Sequence, residues 1–156
     1  MRGESVGPIQ LKAWTYVSVQ ALLLILLIFL DSGLGPQIHR LVLLGRSLEL
    51  LGVIGVLICA ASLRSSLTAV PIPKEEGTLS TTSLYRYVRH PMYTSVLLLA
   101  IGIALQSGCA IKYVLVILLY LLLYSKSVFE EKYLRLKYPE YAEYSARIPR
   151  FIPFTK

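Results

Sequence analysis

The sequence predicts an all-α, multi-pass membrane protein of about four spans, and three observations carry that expectation. Apolar runs close to the length of a bilayer core recur along the chain. Basic residues collect between and after those runs rather than along one contiguous stripe. The composition, 55% hydrophobic over 156 residues with a mean hydropathy of +0.62, is too apolar for a water-soluble domain of this size. By length the chain is a single membrane domain, residues 1–156.

A bilayer core of about 30 Å needs roughly 20 apolar residues per helix. The first candidate span covers residues 14–30. Lys12 precedes it, as a basic residue would a signal peptide, but no small-x-small cleavage site follows and further apolar runs do, which favours a retained helix. Residues 31–36, Asp-Ser-Gly-Leu-Gly-Pro, read as a loop. The second span covers residues 41–63, completing a first pair of spans over 14–63. In it Arg46 and Glu49 share one helical face, either as an internal ion pair near the membrane edge or as a functional intramembrane pair. Gly52 and Gly55 lie on nearby faces and would permit close helix packing.

Residues 64–92 are a polar interruption containing Pro71 and Pro73. Two shorter apolar segments follow, 93–106 and 111–124, with Ser107-Gly108 as a tight turn between them. Helices this short need protein cover, local thinning or extension into the interface. Beyond Tyr124 the chain turns charged yet stays helix-compatible to about Tyr138, and Pro139 ends the helix. Glu131 and Arg135 are spaced for an i,i+4 pair, and Pro149 and Pro153 predict an irregular tail.

Four spans put both termini on one side. The central loop carries Arg64, Lys74, Arg86 and Arg89, and the tail adds Lys126, Lys132, Arg135, Lys137, Arg147, Arg150 and Lys156. The opposite side has little beyond Arg40 and Lys112, so the positive-inside rule places the termini, the central loop and any active site in the cytosol. Many of the 11 tyrosines fall near the ends of apolar runs, as suits the headgroup region. The net charge of +7 comes without a nucleic-acid recognition motif, so the lipid bilayer, not nucleic acid, is the expected partner. Cys59 and Cys109 lie far apart with no Cys or His companion, so they read as small buried hydrophobes and no metal site is expected.

Two polar clusters flank the short hairpin at one membrane face. The first is residues 85–93, Tyr-Arg-Tyr-Val-Arg-His-Pro-Met-Tyr. Pro91 suits the first turn of a helix, which puts His90 near the N-cap with Arg89 beside it, a seat for a carboxylate or phosphate. The second cluster runs from Lys126 to Arg135. Glu130 and Glu131 can accept ribose hydroxyls or face a cation, and Lys126 lies one turn before Glu130 on the same face. Taken singly, each has an ordinary reading: a basic stop before a helix start, and a solvated acidic face.

The order Arg-His-Pro-Met-Tyr, hydrophobic hairpin, Glu-Glu-Lys-Tyr-Leu and Tyr-Pro-Glu-Tyr-Ala-Glu-Tyr-Ser-Ala-Arg-Ile-Pro resembles the isoprenylcysteine carboxyl methyltransferase family and its wider group of membrane phospholipid and isoprenoid methyltransferases. The likeness covers about residues 77–154, the third and fourth spans with the C-terminal tail; the first two spans match only as apolar helices. It implies S-adenosyl-L-methionine as methyl donor, a cytosolic pocket covered by the C-terminal segment, and a lipophilic acceptor arriving from the membrane. By position it implies cofactor contacts along the stretch before Tyr85 (about Gly77 to Ser80, with Leu79 and Ser80 foremost) and at Tyr85, Arg89, His90, Pro91, Met92, Tyr93 and Glu130, and acceptor contacts at Lys126 and Glu131, with no catalytic residue beyond those that position the reactants. The chain departs from the pattern at Ser83-Leu84 and at Ser95, where the family usually has glycine, and at Lys126, where the carboxyl methyltransferases have arginine. A membrane sterol-type reductase using NADPH shares an Arg-His-Pro-x-Tyr motif, but Met92 and Thr94-Ser95 stand where that group has asparagine and an acidic residue. A non-catalytic membrane module is the third reading.

Overall fold

The computed structural model describes residues 6–30, 39–63, 68, 70–72 and 77–153. Five α-helices carry the chain: α1 (Val6–Phe29), α2 (His39–Leu63), α3 (Pro91–Ser107), α4 (Ala110–Lys137) and α5 (Tyr141–Arg147), with a 3-10 turn at Ser83–Arg86. No strand occurs among the described residues. The expected loop at 31–36 lies outside them, as does part of the 64–92 interruption.

Three helices among the described residues, α1, α2 and α4, are long and apolar enough to cross a membrane, and α3 is a shorter apolar helix. Their outer faces are apolar and exposed, as with Leu22, Leu50, Leu57 and Ile117, which suits lipid rather than water. At about 1.5 Å per residue, the 17-residue α3 spans roughly 25 Å, short of a core of about 30 Å. The 28-residue α4 runs roughly 42 Å by the same rise, so its charged end projects beyond any such core. That projection carries Glu130 and Glu131 out of the apolar layer.

Sequence chemistry accounts for the boundaries. Pro91 opens α3, where its missing N–H costs nothing. Gly108 closes it at φ 61°, a left-handed position that suits glycine, and its N–H donates to the Ala104 carbonyl at 3.2 Å. Cys109 N–H then donates to the Ser107 hydroxyl at 3.2 Å, completing the hairpin turn into α4. The apolar stretch at 111–124 and the charged stretch beyond it form one continuous helix, which ends at Lys137. Tyr138, held extended by the proline after it, is its C-cap. The tail is not wholly irregular: the seven-residue α5 forms between Pro139 and Pro149, its Tyr141 and Tyr144 buried against the rest of the molecule. Packing, not propensity, sustains a helix of that length.

Helices α1, α3 and α4 share a core of Leu27, Leu97, Ala100, Leu115, Leu119 and Leu123. The α2–α3 contact is closer, because glycine lines it. A methyl added at Gly45 would lie 2.6 Å from the Gly102 carbonyl oxygen, and one at Gly52 would lie 2.7 Å from the Ser95 carbonyl oxygen. Gly55 faces the Ser95 side chain just as tightly. The expected Arg46–Glu49 pair does not form: no ion pair or hydrogen bond joins them among the described residues, and the Glu49 stem instead packs on Gly102. Cys59 and Cys109 are both buried thiols.

Candidate active site

The first polar cluster and the second meet, at the ends of α3 and α4, around Glu131. This carboxylate is 4% exposed and accepts four hydrogen bonds. Arg89 Nη1 donates to Oε2 at 2.9 Å. His90 Nε2 lies 3.0 Å from Oε1, so that nitrogen carries its hydrogen toward the carboxylate. Arg150 supplies a two-pronged bond, Nε to Oε1 and Nη2 to Oε2, each at 3.0 Å. Charge-assisted bonds of this kind are roughly twice as strong as neutral ones. Glu131 therefore does not pair with Arg135, which is exposed; the helix-local spacing loses to three partners brought in from elsewhere in the chain.

The tail is bound to the start of α3 by main chain as well. The N–H groups of Arg89 and His90 donate to the carbonyls of Pro149 and Arg150 at 2.8 and 3.1 Å. The Thr94 hydroxyl donates to the Phe151 carbonyl at 2.9 Å. Phe151 is buried against the rings of His90, Tyr120 and Tyr124. Residues 149–151 thus form a strap across the entrance to α3.

Beside this strap lies an open cavity that, with the solvent space at its mouth, encloses about 800 Å³. Leu79, Ser80, Tyr85, Arg89, His90, Met92, Tyr93 and Glu130 line it; Pro91, Lys126 and Glu131 do not. Glu130 accepts from the Tyr93 hydroxyl at 2.7 Å, and His90 Nδ1 lies 3.6 Å from it. The His90 imidazole is thereby set between two carboxylates and stacked 5.2 Å from the Tyr93 ring. Lys126 is buried beside Tyr93. Its Nζ donates to Gln20 of α1 at 2.8 Å and sits 5.3 Å from the centre of the Tyr93 ring.

The remaining walls are Leu63, Thr68, Gly77, Thr78, Leu134, Tyr138, Tyr141 and Tyr144. Gly77 and Thr78 belong to the expected stretch before Tyr85; the other six were absent from the expected site residues, although Leu134 and Tyr138 follow Glu130 at helical spacing and tyrosine recurs every third residue at 138, 141 and 144. Two of these tyrosines fix the loops that complete the cavity: Tyr138 donates to the Gly77 carbonyl and Tyr144 to the Tyr85 carbonyl. Burial pushes the phenols of Tyr85 and Tyr141 well up and that of Tyr144 up to about 12. All three remain neutral at physiological pH.

Ser83 opens the turn that presents Tyr85, and it does so at φ 56°, the left-handed region that favours glycine. Relief of a strain of about 1–2 kcal/mol against a glycine entropy cost of about 0.5–1 kcal/mol gives the expected outcome for Ser83→Gly. The variant is expected to gain about 0.5–1 kcal/mol in stability, with Ser83→Ala gaining nothing. Thermal unfolding of the two variants in detergent checks this, and equal midpoints would show that the turn carries no such strain.

Ser95, the other departure, is buried and donates to the Pro91 carbonyl at 2.8 Å. Its bulk is accommodated by Gly55 across the helix interface.

Comparison with known proteins identifies the family of the chain. The family model described as phospholipid methyltransferase matches residues 41–141, which take in α2, α3, α4, Glu130 and Tyr141. The chain is also similar to the cobalt-zinc-cadmium resistance protein CzcN of Cupriavidus metallidurans, 31% identical over 123 residues, which is 78% of this chain and 52% of that one. The chain spans about half the length of this curated relative.

Proposed function

Because the chain belongs to the phospholipid methyltransferase family, we propose that it is an integral membrane enzyme that transfers a methyl group from S-adenosyl-L-methionine to a lipophilic acceptor. The observation that carries this is Glu130, a carboxylate fixed by the Tyr93 hydroxyl on the wall of an open cavity lined by tyrosines. The residues present fit the cofactor. Tyr85 and Tyr93 place aromatic rings on the wall, the chemistry that suits a sulfonium or an adenine. Glu130 keeps acceptor capacity for ribose hydroxyls or for an amino group. Leu79, Ser80, His90 and Met92 complete the near wall. Pro91 acts one step back, setting the helix start from which His90 and Met92 project.

Bound there, S-adenosyl-L-methionine supplies a methyl already activated by its sulfonium. The protein's part is to hold an acceptor atom in line and to exclude water. The strap at residues 149–151 and the tyrosines of α5 contribute that exclusion. Lys126 is the residue assigned to the acceptor, because its ammonium shares the Tyr93 ring with the cavity. As a point charge it favours an anionic head without the two-pronged fit of arginine. Glu131, wholly engaged by Arg89, His90 and Arg150, serves as framework instead of touching the acceptor. The acceptor, a prenylcysteine-like carboxylate or another lipid, enters from the bilayer. The basic central segment and tail support a cytosolic placing of the cavity.

Calorimetry on detergent-purified protein tests the reading. S-adenosylhomocysteine is expected to bind, and Glu130→Ala to weaken it at least about tenfold, as suits loss of a bond to a charged group. Binding of NADPH in its place, or unchanged affinity in both Glu130→Ala and His90→Ala, would sink the assignment. Radiolabelled methyl transfer into a lipid extract of the native membrane then identifies the acceptor.

A further inference from the structure

A polar seam joins α1 to α4. The Tyr16 and Ser125 hydroxyls lie 3.0 Å apart, and one turn further along α1 the Gln20 carbonyl accepts from Lys126 Nζ at 2.8 Å. Both helices are long and apolar enough to cross a membrane, and Gln20 stands directly before the unbroken apolar run 21–30. An amide and an ammonium placed there are costly, which makes them candidates for function rather than filling.

The partner fixes the direction of the Gln20 amide. An ammonium only donates, so the carbonyl faces Lys126 and the two N–H donors on Nε2 face away from it. Nε2 makes no hydrogen bond with any described residue. Gln20 is partly exposed, whereas Lys126 is 4% exposed. The amide is therefore the outer member of the pair and the ammonium the inner one.

That arrangement carries charge outward. Donation from a cation into the carbonyl polarises the amide and strengthens its own N–H groups as donors. The amide also holds the ammonium without neutralising it, as a carboxylate in the same place would. Glu130, one turn along α4 from Lys126, is itself engaged by the Tyr93 hydroxyl. Helix α1 lies outside the residues matched by the family model, 41–141, so Gln20 is a contribution of this chain's own first span.

We infer that Gln20, polarised by Lys126, is the contact for the head group of the acceptor, and that the acceptor is an anionic lipid. The inference rests on the methyl-donor reading above and narrows its substrate. A cationic head would meet only donors here. Carboxylate and phosphate heads share the required chemistry.

The test gives the full chain in detergent radiolabelled S-adenosyl-L-methionine and lipids of the native membrane, separated by anion exchange into acidic and neutral fractions. Label is expected to enter the acidic fraction, and the phosphorus content of the labelled band then tells a phosphate head from a carboxylate, either of which supports the seat. Gln20→Glu is the deciding variant. Its carboxylate holds Lys126 at least as firmly, so the unfolding midpoint should stay or rise, yet it cancels the ammonium's charge and repels an anion. The half-saturating lipid concentration is expected to rise at least about tenfold, with the affinity for S-adenosylhomocysteine unchanged by calorimetry. Gln20→Leu, which removes the donors, should raise it at least about fivefold. A native half-saturating concentration in Gln20→Glu would make Gln20 a mere strut between helices and overturn the seat. So would label entering neutral lipids alone, or equal weakening of lipid and S-adenosylhomocysteine binding. Transfer into neither fraction by a protein that binds S-adenosylhomocysteine removes the lipid acceptor and the seat together. Failure to bind S-adenosylhomocysteine at all removes the methyl-donor reading, a separate outcome.

Discussion

Glu131→Ala is expected to destabilise the protein by about 3–5 kcal/mol, the usual cost of removing one partner from a buried charge cluster. The side chain removed is 5% exposed, and those it abandons, Arg89 and Arg150, are 13% and 22% exposed. Two guanidinium groups would then share a desolvated site with no anion between them. The loss is expected to be regional as well as global, because the Arg150 fork is what fastens the strap to α4. Limited proteolysis near residues 148–153 should accelerate together with the fall in the unfolding midpoint. Glu131→Gln keeps the shape and part of the bonding, so it should fall between the native protein and Glu131→Ala. Arg150→Met should cost less than either, because Glu131 retains Arg89 and His90. If Glu131→Ala unfolds at the native temperature with an equally resistant tail, the carboxylate is not the hub that its geometry describes.

The same residue shows where sequence reasoning reaches its limit. The i,i+4 rule can nominate only Arg135 as a partner for Glu131, since it sees a single helix. The actual partners lie 42 and 41 residues before it and 19 after it, and only folding brings them together. The apolar helices were legible because membrane length and composition constrain them directly. Pro91 and Pro139 marked helix ends because proline acts on its own backbone neighbourhood. Helix α1 begins at Val6, ahead of the expected span, because a helix continues through the less apolar Gln10 and Lys12 that an apolar run leaves out. Of the candidate site, the Arg-His-Pro and Glu-Glu clusters stood out as charges beside apolar runs. Tyr138, Tyr141 and Tyr144 did not, since a tyrosine near a membrane interface has an ordinary explanation until it is seen holding a loop or lining a cavity.

The glycines of α2 carry the second large effect. Gly45→Ala and Gly52→Ala combined are expected to cost about 2–6 kcal/mol, taking overpacking at about 1–3 kcal/mol per site and near-additivity two turns apart. At Gly52 the new methyl would meet Leu99 Cγ at 2.6 Å, the Ser95 carbonyl oxygen at 2.7 Å and the Leu99 nitrogen at 2.9 Å. At Gly45 it would meet the Gly102 carbonyl oxygen at 2.6 Å and the side-chain stem of Gln106, also on α3, at 2.8 Å. Backbone atoms of α3 cannot yield as a flexible side chain does, so the two helices must part. Because α3 also carries Met92 and Tyr93 into the cavity, cofactor binding should weaken along with stability. Gly7→Ala supplies the control: it lies in a helix with nothing within 4 Å of the added methyl, so better helix propensity should leave it neutral or up to about 1 kcal/mol more stable. A finer check uses Gly55, which faces Ser95. Gly55→Ala should be destabilising alone and largely rescued by Ser95→Gly, since the second change removes the side chain that the first one strikes. Unfolding midpoints in detergent decide the matter, and a Gly45/Gly52 double variant tolerated as well as Gly7→Ala would mean that α2 and α3 do not pack through bare backbone.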